Sequence, residues 1–347
     1  VKRYTHIRSR TGSMDLQFET ISLIWILLGL LAFVVAIAMG TGWGDTYISP
    51  NAVLSTLFGT GSGEHDFILL TLRMPRVLTA LFVGAALGVA GAILQGIIRN
   101  PLASPDIIGI TGGASVAAVS FITFAGGVAS IKLLPLASIA GALLISLLVY
   151  GLSWKKGVTP IRMVLIGIGL SAAAKAATTL MIVMSPAISA GKAYLWLTGS
   201  VYGASWQNVY TIVPVVVLGT LLALAFSRSL NAQELGDDIA SSLGVKVQRH
   251  RFLLILISVV LAGTAVSVAG AIGFIGLIAP HIARRLVGRL YGGMMLVSGL
   301  IGGLLVFMAD LIARTLFYPL DIPAGIFTAG IGAPFFIYLL FRNRNQI

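Results

Sequence analysis

The chain has 347 residues, of which 57% are hydrophobic and 10% charged, with mean hydropathy +0.99 and net charge +12. A water-soluble globule has too little interior to hide that much apolar side chain, so the composition excludes a soluble enzyme and points to a bilayer. It has no cysteine, which excludes disulfides, thiolate metal sites and a cysteine nucleophile, and its four histidines (His6, His65, His250, His281) have no metal-ligand spacing.

Residues 1–20 form a polar, basic N-terminal tail. The apolar run Ile21–Gly40 that follows is longer than a signal-peptide core of about 7–15 residues and reads as a retained first helix. Further apolar spans are expected near 76–98, 106–124, 131–152, 161–184, 207–227, 252–272, 276–288, 292–313 and 324–342. Each long one suits a bilayer crossing, which takes about 20 residues. The spans at 106–124 and 276–288 are short and broken by Gly and Pro. The expected fold is an all-α membrane protein of about ten transmembrane helices, with residues 21–347 forming one transmembrane domain.

An internal repeat divides that domain. The segment Gly84–Ile93 resembles Gly263–Ile272 at an offset of 179 residues, and at that offset Pro101 matches Pro280 and Gly109 matches Gly288. Five spans separate the copies, so the halves (about 21–184 and 190–347) are expected to have inverted topology. With the N-terminus inside, 17 of the 23 Lys and Arg fall on the cytoplasmic side; Arg73, Arg76, Lys132, Lys192 and Arg314 fall outside, and Lys175 lies within a span. The bias fixes the expected orientation, both termini cytoplasmic, and explains the net charge without nucleic acid.

The longest polar insertion is the loop 228–251. Asn231 and Glu234 have capping-box spacing, Gly236 and Gly244 allow turns, and Leu235, Ile239 and Leu243 recur at helical spacing on a face with no membrane to enter. Such a face is expected to dock on protein. On the opposite side Arg73, Arg76 and Arg314 read either as snorkelling side chains or as a docking cluster for carboxylates. Asp310 lies four residues before Arg314, so a local ion pair is the simple expectation for it. Lys175 either lines a polar cavity or snorkels. Asn100–Pro105 is expected to break the chain and set the angle of the short third span, and His281 is expected to bond backbone groups near Pro280.

Taken together, Arg73-Met74-Pro75-Arg76, the segment Gly91–Pro105, the loop Glu234–Gly244, the segment Gly270–His281, Ile322-Pro323-Ala324-Gly325 and Gly332-Ala333-Pro334 resemble the FecCD family of ABC importer permeases. The resemblance covers nearly the whole chain after residue 20. It implies a permease subunit in a bacterial plasma membrane, paired with a second identical or paralogous permease. Two cytoplasmic ATPase subunits that bind ATP and Mg, and an external substrate-binding protein, are implied as partners. Glu234, Leu235, Gly236, Ala240, Leu243 and Gly244 would contact the ATPase, with Ala240, Leu243 and Gly244 as the closest points. Arg73, Arg76 and Arg314 would dock the binding protein, and Thr159, Pro160 and Ile161 would form the cytoplasmic gate. Ferric siderophore is the implied cargo, with haem or cobalamin as alternatives. The chain has no Gly-x-x-x-x-Gly-Lys-Ser/Thr loop and so is not expected to hydrolyse ATP itself. A contrasting reading is an ion-coupled secondary transporter, which would call for intramembrane carboxylates; here Asp106 and Asp310 lie near span ends.

Overall fold

The computed structural model describes residues 4–8, 15–44, 46–61, 63–125 and 130–343; the part of the basic tail formed by Lys2, Arg3 and Arg10, and Arg344, lie outside them. Within the tail, β1 (Tyr4–Arg8) pairs antiparallel with β2 (Asp15–Glu19). Among the described residues the other regular elements are helical, apart from an isolated bridge between Trp154 and Val158. The elements are α1 (Thr20–Gly42), α2 (Pro50–Leu57), α3 (Met74–Ile98), α4 (Ile110–Ser120), α5 (Leu134–Leu152), α6 (Pro160–Val183) and α7 (Ala187–Leu197). After them come α8 (Trp206–Ala225), α9 (Ser227–Glu234), α10 (Asp237–Ser242), α11 (Val247–Ala269), α12 (Ile275–Val287), α13 (Tyr291–Leu316) and α14 (Ala324–Asn343).

Among the described residues eight helical segments are long and apolar enough to cross a membrane, and α4 with its extension to Ala125 is a shorter apolar helix. The expected spans correspond to α1, α3–α6, α8 and α11–α14. The third begins at Ile110 rather than 106, because Pro101 and Pro105 hold the preceding residues in turns. The eighth, α12, has Pro280 inside it, and the His281 ring packs edge-on against Phe335 at 5.6 Å. The expected repeat partners Gly91 and Gly270 occupy different places: Gly91 is inside α3, whereas Gly270, at φ +71, ends α11. Helix α7 bridges the expected boundary between the halves.

The second span starts earlier than its hydropathy suggests. Residues Phe67–Arg73 form a π-helical turn that runs directly into α3, with the Met74 amide bonded to the Leu69 carbonyl. Pro75 has no amide to offer the preceding turn, so widening the hydrogen-bond ring there keeps the helix continuous.

Helix α3 is the central post of the bundle, buried over most of its length. Its approach to α13 depends on missing side chains. A Cβ on Gly84 would overlap the Gly302 carbonyl oxygen, and one on Gly88 would overlap that of Ser298. In lipid, where apolar side chains gain little by leaving the solvent, such close backbone packing is a main source of helix association. In contrast, α1 packs one edge on α13, placing Gly29 beside Leu300 and Phe33 beside Gly303, and leaves Leu27, Leu31 and Val34 exposed. The exposed leucines suit acyl chains or another helix.

Two ends of the bundle matter for function. The end of α1, the starts of α3 and α14 and the end of α13 meet at one; the end of α3, the α5–α6 turn, α9, α10 and the start of α11 meet at the other.

Candidate functional site

At the first end, Arg73, Arg76 and Arg314 converge on one recess of about 560 Å³, whose lining also includes Tyr202, Tyr318 and Asp321. Sequence spacing brings Arg73 and Arg76 to the same helix start; only the packing of α13 on α3 adds Arg314. None of the three is a freely extended surface cation. Arg73 is 7% exposed and Arg314 8%. Arg73 donates through Nη1 to the Thr41 carbonyl at 2.8 Å and the Gly42 carbonyl at 3.2 Å, and through Nη2 to the Thr46 carbonyl at 2.7 Å. Arg314 donates to the Gly40 carbonyl at 2.6 Å. The last carbonyls of α1 have no intrahelical partners, and these two guanidinium groups bond carbonyls at that C-terminus, where cations are electrostatically favoured.

Arg76 carries the carboxylates. Its Nε lies 3.1 Å from both oxygens of Asp310 and its Nη2 lies 2.9 Å from Asp310 Oδ1 and from Asp321 Oδ1. Tyr202 stacks below its guanidinium at 5.5 Å. The local pair expected between Asp310 and Arg314 is therefore secondary: Arg314 Nε stands 3.7 Å from Asp310 Oδ2, whereas Arg76, distant in sequence, takes the bidentate contact. The fork geometry of Arg76 matches a carboxylate, and the helical neighbour at i+4 does not present its fork to it. Among the described residues, the carboxylates of Asp310 and Asp321 face this group of three arginines.

At the second end, α9 and α10 form a bent helical arm. Gly236 turns the chain at φ +121 and Gly244 at φ +83, and both stand in open space, as the glycine spacing suggests. Leu235 is 63% exposed, Ile239 49% and Leu243 65%, but Leu235 is the C-cap of α9 while Ile239 lies in α10 and Leu243 caps its end, with the turn at Gly236 between them, so the three are exposed without sharing one continuous helix. Two further expectations need correction. Asn231 lies inside α9 rather than capping it, and its Oδ1 accepts the Tyr291 amide at 3.0 Å at the start of α13; Glu234 ends α9 instead of completing a capping box. Ala240 is fully buried, because α10 lays that side on the body of the chain, and its side chain is unavailable to a partner.

Thr159, Pro160 and Ile161 open α6 directly beside this arm. Thr159 is the N-cap residue, Pro160 occupies the first turn, where its missing amide costs nothing, and Ile161 is 77% exposed. Lys175 sits midway along α6 on its exposed side, in a shallow groove with Ala172, Ala176 and Thr179. Among the described residues its ammonium has no acidic partner.

Charge pattern and helical spacing did not flag Arg251, which is fully buried and bonded to Asp237. Its position at the start of an apolar span was the available signal, since a cation there needs an internal partner.

Residues 30–342 match the FecCD transport family. The chain is 50% identical over 326 residues to the probable siderophore transport system permease protein YfhA of Bacillus subtilis (strain 168), covering 92% of this chain and 94% of that protein. It is 46% identical over 336 residues to the achromobactin transport system permease protein CbrC of Dickeya dadantii (strain 3937), covering 97% and 96%. A solved chain described as an inward-facing conformation of a metal-chelate type ABC transporter superposes with a TM-score of 0.80 at 31% identity, over 91% of this chain and 98% of that one. With the helical architecture in place and the match running from within α1 to within α14, the chain belongs to the FecCD transport family.

Proposed function

We propose that this chain is the permease subunit of an ATP-driven importer of ferric siderophores in a bacterial inner membrane, with both termini cytoplasmic. The observation that carries the reading is the family match across residues 30–342; the relatives named for siderophore and achromobactin transport give the cargo class. A second permease copy or paralogue completes the passage. Cytoplasmic ATPase subunits supply the work by binding ATP and Mg themselves.

The exposed Leu235, Ile239 and Leu243, with the turns at Gly236 and Gly244 and with Glu234 at the end of α9, dock the ATPase. Burying three such side chains contributes about 1.5–3 kcal/mol each. The recess of Arg73, Arg76 and Arg314 receives acids of the external binding protein, a contact that gives orientation and association rate more than affinity. Thr159, Pro160 and Ile161 close the cytoplasmic end of the passage, and Lys175 faces the passage, where its charge attracts anionic chelates. Nucleotide binding moves the arm and exchanges access between the two ends, which requires differential affinity for the two states.

The test is reconstitution of the chain with its ATPase and binding protein in vesicles, followed by uptake of radiolabelled ferric siderophores, haem and cobalamin. ATP-dependent uptake of ferric siderophore alone is expected. Uptake that proceeds without ATP would overturn the reading.

A further inference from the structure

The docking arm and the gate turn are joined by one buried side chain. Arg251, in the second turn of α11, is fully buried. Its Nη2 donates to both oxygens of Asp237, the first residue of α10, at 2.8 and 2.9 Å. Its Nη1 donates to the Val158 carbonyl at 2.5 Å, one residue before the Thr159 cap of α6. Gln248, one turn earlier on α11, holds the same peptide region: its Oε1 accepts the Val158 amide at 3.0 Å. Arg99, which ends α3 at φ 55, also donates to Asp237.

As a staple this arrangement is poor. Burying a guanidinium costs several kcal/mol, and a half-exposed carboxylate offsets that incompletely; here Asp237 is 35% exposed, and Arg251 Nε is buried with no hydrogen-bond partner. An apolar residue would hold α11 in place at lower cost. What an apolar residue lacks is a rigid planar group that bonds two elements at once. Between its two turn glycines, Gly236 and Gly244, α10 rests on the body through Ala240 and through Asp237. A movement of α10 that displaces Asp237 therefore turns the Arg251 plane and draws on the Val158 carbonyl, and Thr159–Ile161 follow by covalent connection.

We infer that Asp237, Arg251 and Val158 form the relay by which movement of the docking arm reaches the gate turn, with Arg251 as the positioning residue and Gln248 holding the far end. The inference rests on the proposed roles of the arm and of Thr159–Ile161.

The experiment uses the absence of cysteine in the chain. Ile161→Cys, at an exposed position, is labelled with a maleimide in the reconstituted complex without nucleotide and with ATP and vanadate. The two rates are expected to differ about fivefold or more, in the range of ordinary coupling between sites. Arg251→Lys keeps the charge but not the fork. The expected result is a rate ratio near one, with the ATPase co-purifying in unchanged amount. A retained ratio overturns the relay, and so does loss of the ATPase, because the pair would then only shape the docking arm. If Arg251→Lys fails to assemble, Gln248→Ala cuts the far end instead. It should reduce the ratio at least twofold, and an unchanged ratio overturns the relay. Failure of the parent protein to bind the ATPase, or equal labelling rates in it, would instead remove the functional reading beneath the inference.

Discussion

Arg76 and Asp310 stand 234 residues apart in the chain and share three hydrogen bonds of 2.9–3.1 Å where α3 meets α13. The pair ties the central helix to the helix that packs most closely on it. It also fixes the charge that the recess presents outward, since Asp310 is 2% exposed while Asp321, the second acid on Arg76, is 37% exposed.

The two acids should differ sharply in their contribution to stability. Asp310→Ala leaves the Arg76 guanidinium without its buried partner and is expected to cost about 3–5 kcal/mol. Asp321→Ala removes an exposed contact and should cost about 1 kcal/mol or less. Thermal unfolding of the two variants in the same detergent measures the difference, and equal shifts would contradict the geometry.

On the proposed docking role, the arm formed by α9 and α10 should tolerate polar substitution in isolation but not in complex. Leu243→Asp alters a side chain that is 65% exposed, so the melting temperature of the permease alone should stay unchanged. Binding of the ATPase should weaken about tenfold or more, the loss expected for one buried leucine. Pull-down or titration calorimetry with the ATPase gives the number. Ala240→Asp should show the opposite order of effects, because Ala240 is buried within the chain.

Close packing of α3 on α13 sets a steric limit. Gly88→Leu forces a side chain into the Ser298 carbonyl, and overpacking of this kind costs at least about 1–3 kcal/mol. With backbone as the obstacle the upper end is expected, seen as a lower yield of monodisperse protein. Gly191→Leu, where no atom lies near the added carbon, should leave the yield unchanged.

Lys175 offers a test of the passage that does not disturb the arm or the recess. Lys175→Ala should slow ATP-dependent uptake of anionic ferric chelates several-fold and leave that of neutral ones nearly unchanged. ATPase activity stimulated by the binding protein should persist. Equal slowing of both cargo classes would remove the electrostatic role.

How much of this was legible beforehand varied with distance along the chain. The spans were readable because apolar length is a local property, whereas the helical spacing of Leu235, Ile239 and Leu243 is interrupted by the turn at Gly236, which leaves the three exposed on two different helices. The glycine turns at 236 and 244 were readable because they too are local. Helices α2 and α7 were missed because they are short, and short helices depend on neighbours rather than on their own hydropathy. The capping box at Asn231 failed because a tertiary partner, the Tyr291 amide, took the side chain that a local cap would have used.

By itself, then, the sequence determined a polytopic helical protein and the family whose motifs it carries. Only the tertiary structure decided that Asp310 belongs to Arg76 rather than to Arg314, that Ala240 faces inward, and that Arg251 joins the start of α10 to the turn before α6. Burial and chain periodicity are summed over neighbours in sequence, so a linear reading captures them. A hydrogen bond between groups that are far apart in the chain exists only once helix packing has placed donor and acceptor within about 3 Å.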